Sequence, residues 1–156
     1  MEPQDVQTQP ELEERVIQID RVARVVKGGR RFRFRALVAV GDGHGQVGVA
    51  TAKGADVTTA VSKAADQAKK HMRAVAITDG TIPHDVKAKH SGAEVLLRPA
   101  GPGTGVIAGG AVRDVLEVAG LSNILSKSLG STNKVNCSYA TLAALQQIIP
   151  PRQEDT

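Results

Sequence analysis

Aromatic residues are scarce in this 156-residue chain: it has no Trp, one Tyr and two Phe. Base-stacking platforms are built from such rings, so their scarcity argues against recognition of splayed single-stranded bases. Cysteine is nearly absent as well. Cys137 stands alone, which excludes an intrachain disulfide and fits the reducing setting of the cytoplasm. No run of about 18 apolar residues occurs, so no membrane-spanning helix is expected. Residues 1–18 have neither the basic start nor the apolar centre of a signal peptide. Catalytic signatures are also missing. There is no G-x-S-x-G elbow, and Ser91 beside His90 is a turn pair, since adjacency in sequence is not triad geometry. Of the four histidines, His44, His71, His84 and His90, only the last two are near each other, and Asp85 falls on the opposite face of that strand. With one cysteine, this falls short of the about four ligands of a zinc site. No catalytic residue, metal or cofactor is therefore expected.

What the chain does have is unevenly placed positive charge. The net charge is +4. Residues 1–20 hold one base against six acids, residues 21–98 fifteen bases against six acids, and residues 99–156 four of each. A basic centre between an acidic arm and a neutral end suggests a polyanionic partner.

That centre organises the chain. Lys27-Gly28-Gly29-Arg30 turns a first strand, about residues 15–26 and interrupted by Arg21 and Arg24, into a second over Phe32–Val40. Period two puts Phe32 and Phe34 on one face and Arg31, Arg33 and Arg35 on the other, the open side of the sheet. Gly41-Asp42-Gly43-His44-Gly45 reads as a hairpin turn into a third strand, Gln46–Ala52. After Lys53, Asp56 is placed to cap a helix running to about Val75. Its apolar stripe is Val57, Ala60, Val61, Ala64, Ala65, Ala68 and Met72. Lys63, Lys69, Lys70 and Arg73 lie off that stripe. Cations outside and apolar residues inside make the plan of a small RNA-binding module.

Residues 1–11 are polar with Pro3 and Pro10 and are expected to be a disordered arm. Residues 12–75 form the first expected domain, a three-stranded antiparallel sheet with one helix. Residues 76–149 form a second, ordered β-β-α-β-α: a hairpin over residues 82–98, a helix with Ala111, Val112, Val115, Leu116 and Ala119 inward, a strand near 123–131, and a last helix capped by Asn133. That helix is read with Val135, Tyr139, Leu142, Ala143 and Ile149 inward, and residues 150–156 form a tail after Pro150-Pro151. The fold class is α+β.

Residues 101–110 invite a nucleotide reading, because Gly103, Gly105 and Ala108 fit G-x-G-x-x-A between a strand and a helix. The preceding strand belongs to a hairpin, no acid follows the next strand, and the loop has no lysine. A nucleotide-using enzyme is accordingly the weakest alternative, behind a free double-stranded-RNA-binding module.

Two segments carry a family resemblance. Val26-Lys27-Gly28-Gly29-Arg30, Val40-Gly41-Asp42-Gly43, Val47-Gly48 and the Lys-rich helix resemble the N-terminal, double-stranded-RNA-binding-like domain of the bacterial-type small-subunit ribosomal protein S5 family. Residues 103–111, Leu116-Glu117-Val118-Ala119-Gly120 and Gly130-Ser131-Thr132-Asn133 resemble that family's C-terminal domain. Arg33 and Arg35 stand where the family has mostly small or uncharged residues. The resemblance implies a structural, non-catalytic ribosomal component without a cofactor and not an obligate homo-oligomer. It implies binding to small-subunit rRNA at the head–body junction, contacts with ribosomal proteins S4 and S8, and a part in translational accuracy. Its implied RNA contacts centre on the Lys27–Arg31 loop. With the basic residues read above, the candidate RNA-binding set is Arg21, Arg24, Lys27, Gly28, Gly29, Arg30, Arg31, Arg33, Arg35, Lys53, Lys63, Lys69, Lys70 and Arg73. Gly103, Thr104, Gly105 and Arg113 match the area that meets S4.

Overall fold

The computed structural model describes residues 11–150, so the expected arm, apart from Glu11, and the tail beyond Pro150 lie outside the described residues. Two four-stranded sheets and three helices make an α+β fold. The first sheet holds β1 (Glu13–Val26), β2 (Gly29–Gly41), β3 (Gln46–Gly54) and β4 (Arg73–Ala74), in that order and antiparallel. The second holds β5 (Val86–His90), β6 (Ala93–Pro99), β7 (Val106–Ile107) and β8 (Ile124–Gly130), ordered β5-β6-β8-β7, with β7 parallel to β8. The helices are α1 (Val57–Lys70), α2 (Gly110–Ala119) and α3 (Lys134–Gln146).

Two short strands were absent from the sequence reading. The first helix stops at Lys70 instead of Val75, because Arg73 and Ala74 pair with Val47 and Gln46 as a fourth strand. Within the glycine-rich segment, Val106 and Ile107 pair with Ile124 and Leu125. Both strands have two residues, too short for a period to register.

Alternation along β2 sorts its residues onto two cores. Ala36, Val38 and Val40 face α1, which offers Ala60, Ala64, Ala65 and Ala68. These alanines let the helix lie close on the sheet. Val57, at the start of the expected stripe, is instead exposed. Leu37 and Ala39, with Val47 and Val49 of β3, face the other way and join the core of the second sheet, α2 and α3. The side of the first sheet expected to be open is therefore covered along this end. Only its far end, bearing Arg31, Arg33 and Arg35, extends beyond.

The glycine-dense turn between β2 and β3 fastens the two units. Gly43 N–H donates to Val118 O at 3.1 Å and Gly45 N–H to Ala119 O at 2.9 Å, so the turn caps the carbonyl end of α2. Gly120 ends that helix at φ 102°, and a Cβ there would stand 2.2 Å from Gly43 O. Beside this, Arg15 of β1 pairs with Glu117 and lies 3.6 Å from Asp114 of α2, and Arg113 Nε meets Glu117 at 2.7 Å.

The last helix buries a different face from the one expected. Cys137, Ser138, Ala140, Thr141, Ala144 and Leu145 are buried, Val135, Tyr139, Leu142 and Ala143 are partly covered, and Ile149 is 72% exposed beyond the helix end. Ser138 and Thr141 can be buried because their hydroxyls donate to the carbonyls of Lys134 and Cys137 four residues back.

Candidate nucleic-acid interface

The β1–β2 hairpin outgrows the rest of its sheet. β3 ends at Gly54, opposite Phe34, so Phe32 and everything toward the tip lie on a two-stranded ribbon. Residues 21–35 of the hairpin contain seven Lys and Arg and no acid. The turn is tighter than the sequence suggested: Val26 pairs with Gly29, leaving Lys27 and Gly28 as the loop. Gly28 takes φ 104°, a conformation costly for any residue with a Cβ, and no atom lies within 4 Å of where that Cβ would be. Lys27, Gly28, Gly29, Arg30 and Arg31 are all exposed. An exposed backbone flanked by cations can approach phosphates closely.

A groove of about 340 Å³ begins where the ribbon meets the sheet. It is lined by Arg33, Arg35, Thr51, Ala52, Lys53, Lys63 and Gln67, and so follows the outer edge of β3. That edge is open from Gly48 onward because β4 pairs only with Gln46 and Val47. A second groove, about 480 Å³, shares Thr51 and Gln67 and continues past His71, Arg73, Tyr139 and Gln146. The fold thus gathers Arg33 and Arg35 of β2, Lys53 of β3 and Lys63 of α1 from three separate stretches of chain, with Arg73 next in line. Thr51, Gln67 and Gln146, uncharged donors along the same path, were missed; nothing in their local sequence marks them.

Other members of the candidate set are not in this groove. Arg21 lies on the opposite, phenylalanine face, with its Cζ 3.8 Å from the Phe32 ring centre. Arg24 pairs with Arg31 along the backbone. Lys69 points to β1, where Glu14 holds it at 2.7 Å and raises its pKa. Arg35, which does line the groove, is tied to Asp20 at 3.0 Å, so part of its charge is answered inside the protein. Lys70 is exposed at the end of α1, where a cation complements the helix dipole.

The glycine-rich segment is built differently. Gly105 N–H donates to Asn123 Oδ1 at 3.0 Å and its carbonyl accepts from Ile124 N–H at 3.1 Å. The first of these bonds occupies the backbone N–H that a phosphate would need at Gly105. Gly103 and Thr104 are exposed, and Arg113 stands at the surface on α2, braced by Glu117. No group of three or more His, Cys, Asp or Glu residues suited to a metal occurs among the described residues. No helix among them is long and apolar enough to cross a membrane.

Comparison with protein families finds two matches along the chain. Residues 12–76 match the model of the ribosomal protein S5 N-terminal domain, and residues 88–155 that of the S5 C-terminal domain. The first match holds the cationic hairpin and groove; the second holds the glycine-rich segment and Arg113. Two different domains of one family, matched in order over most of its length, show that the chain belongs to the ribosomal protein S5 family of structural, rRNA-binding components of the small ribosomal subunit.

Proposed function

We propose that this chain occupies the head–body junction of the small subunit in the cytoplasm, without catalysing a reaction. There the Lys27–Arg31 tip and the groove of Arg33, Lys53 and Lys63 contact rRNA phosphates. The observation that carries this reading is the acid-free basic ribbon of residues 21–35. Its outer part, from Phe32 toward the tip, projects past β3, and its base leads into an open cationic groove. Cations on a fixed scaffold suit a structured, A-form-rich RNA, whose phosphates and shape are the accessible features.

Ribosomal proteins S4 and S8 are the proposed protein neighbours, with Gly103, Thr104, Gly105 and Arg113 meeting S4. The electrical neutrality of this half and the surface position of those residues support a protein contact there over an RNA one. Translational accuracy would be affected through this contact. A Gly105→Arg protein is expected to bind rRNA as the wild type does and to change miscoding in a reporter assay; unchanged miscoding contradicts the assignment.

Sedimentation of a tagged chain in a cell extract tests the whole reading. The protein should travel with small-subunit particles at moderate salt. A chain that stays at the top of the gradient yet binds isolated RNA duplexes is instead a free double-stranded-RNA-binding module.

A further inference from the structure

We propose that Phe32, with Arg21 stacked on it, is the platform for one unpaired rRNA base. The proposal rests on the RNA-binding reading above and adds what that reading lacks, a contact to a base.

Phe32 is 45% exposed, a large apolar surface for a residue in the middle of a strand. Its exposure follows from the topology. Phe34, one step along the same face, is partly covered by the α1 core. Phe32 lies past the end of β3, where the ribbon has only two strands. Its partner across the ribbon is Ala23, too small to cover a ring. Arg21, diagonally adjacent, places its guanidinium 3.8 Å from the ring centre. A phenyl ring and a planar cation together offer the stacked surfaces that bases use on proteins. The charge around them selects the occupant. Arg21 and, by alternation along β2, Arg30 share the face of Phe32, and no acid occurs between Arg21 and Arg35, so a polyanion is favoured over a protein surface. A single exposed ring suits a single base, which agrees with the low aromatic content.

The test compares wild type, Phe32→Leu and Phe32→Tyr, each as the full chain, binding transcribed small-subunit rRNA across a salt series. Leu keeps the apolar bulk and loses the ring; Tyr keeps the ring. Loss of one stack should weaken Phe32→Leu by about tenfold, while Phe32→Tyr stays within about twofold of wild type. The log–log salt slope should be the same for all three, because no phosphate contact is lost. Unchanged affinity in Phe32→Leu overturns the platform and leaves RNA binding standing. So does weakening in both variants together with lowered melting temperatures, which makes Phe32 a structural residue. Normal rRNA affinity combined with failure to enter small-subunit particles would reassign the ring to a protein neighbour. A wild-type chain showing no salt-dependent rRNA binding removes the RNA reading itself, and the platform with it.

Discussion

At the scale of single residues, glycines at two turns do different work. Gly120 has a positive φ and the carbonyl of Gly43 pressed against it. Gly120→Ala should cost at least about 2 kcal/mol, as both strain and clash must be relieved. It should appear as a lower denaturation midpoint with rRNA affinity unaltered under conditions where the protein is folded. The tip is open instead: neither Gly28 nor Gly29 has an atom within 4 Å of the position of an added Cβ. Gly29→Asp meets no clash but must take φ 154°, so it should fold with some loss of stability, and weaken rRNA binding more than Lys27→Ala does under conditions where both are folded, since it adds a negative charge where phosphate is expected. Normal assembly of Gly29→Asp into particles would reduce the tip to a plain turn. Phe34 is half-covered, so Phe34→Ala should cost about 2 kcal/mol, below the 3–5 kcal/mol of a fully buried ring. The alternation of Phe and Arg was legible in the sequence because period two acts within one strand. The tie between Arg35 and Asp20 became visible only with the hairpin register, which depends on knowing that the turn has two residues.

At the scale of elements, the ion cluster between β1 and α2 makes a pH prediction. Hydrogen bonds from Arg113 and then Arg15 lower the pKa of Glu117. Its folded-state pKa lies below the unfolded value, so its contribution is present at neutral pH and fades as pH falls through the lowered value. Asp114 has the opposite sign, because burial raises its pKa, so its protonation on acidification opposes part of that loss. Glu117→Gln should lower stability at pH 7 by about 1 kcal/mol, the scale of a surface ion pair. The difference from wild type should close as the pH drops below the carboxylate range. A difference that persists in strong acid would show that Glu117 acts through packing. The helices show what a sequence can conceal. α2 was readable because its large apolar residues cluster on one side and Gly120 stops it. α3 was not, because apart from Leu145 its buried face is made of small residues and two hydroxyls, while other large apolar residues sit at its margins.

At the scale of the molecule, the two halves share one core across the back of the first sheet. Leu37, Ala39, Val47 and Val49 belong to it as fully as Val115 or Leu145 does. Both halves' motifs were legible one at a time. Their union was not, because it depends on which face of a sheet meets a distant helix, and no local pattern encodes that. The same union closes one end of the sheet and leaves the basic ribbon as the part free to meet RNA. On the proposed function, Arg33, in the groove at the root of that ribbon, touches phosphate, while Arg35, held by Asp20, contributes less. The salt dependence of binding to small-subunit rRNA measures this directly, using wild type, Arg33→Gln and Arg35→Gln. Arg33→Gln should make the log–log slope shallower by about 0.7–0.9, and Arg35→Gln by less. A slope unchanged in Arg33→Gln would contradict the account, since the groove would then carry charge without carrying RNA.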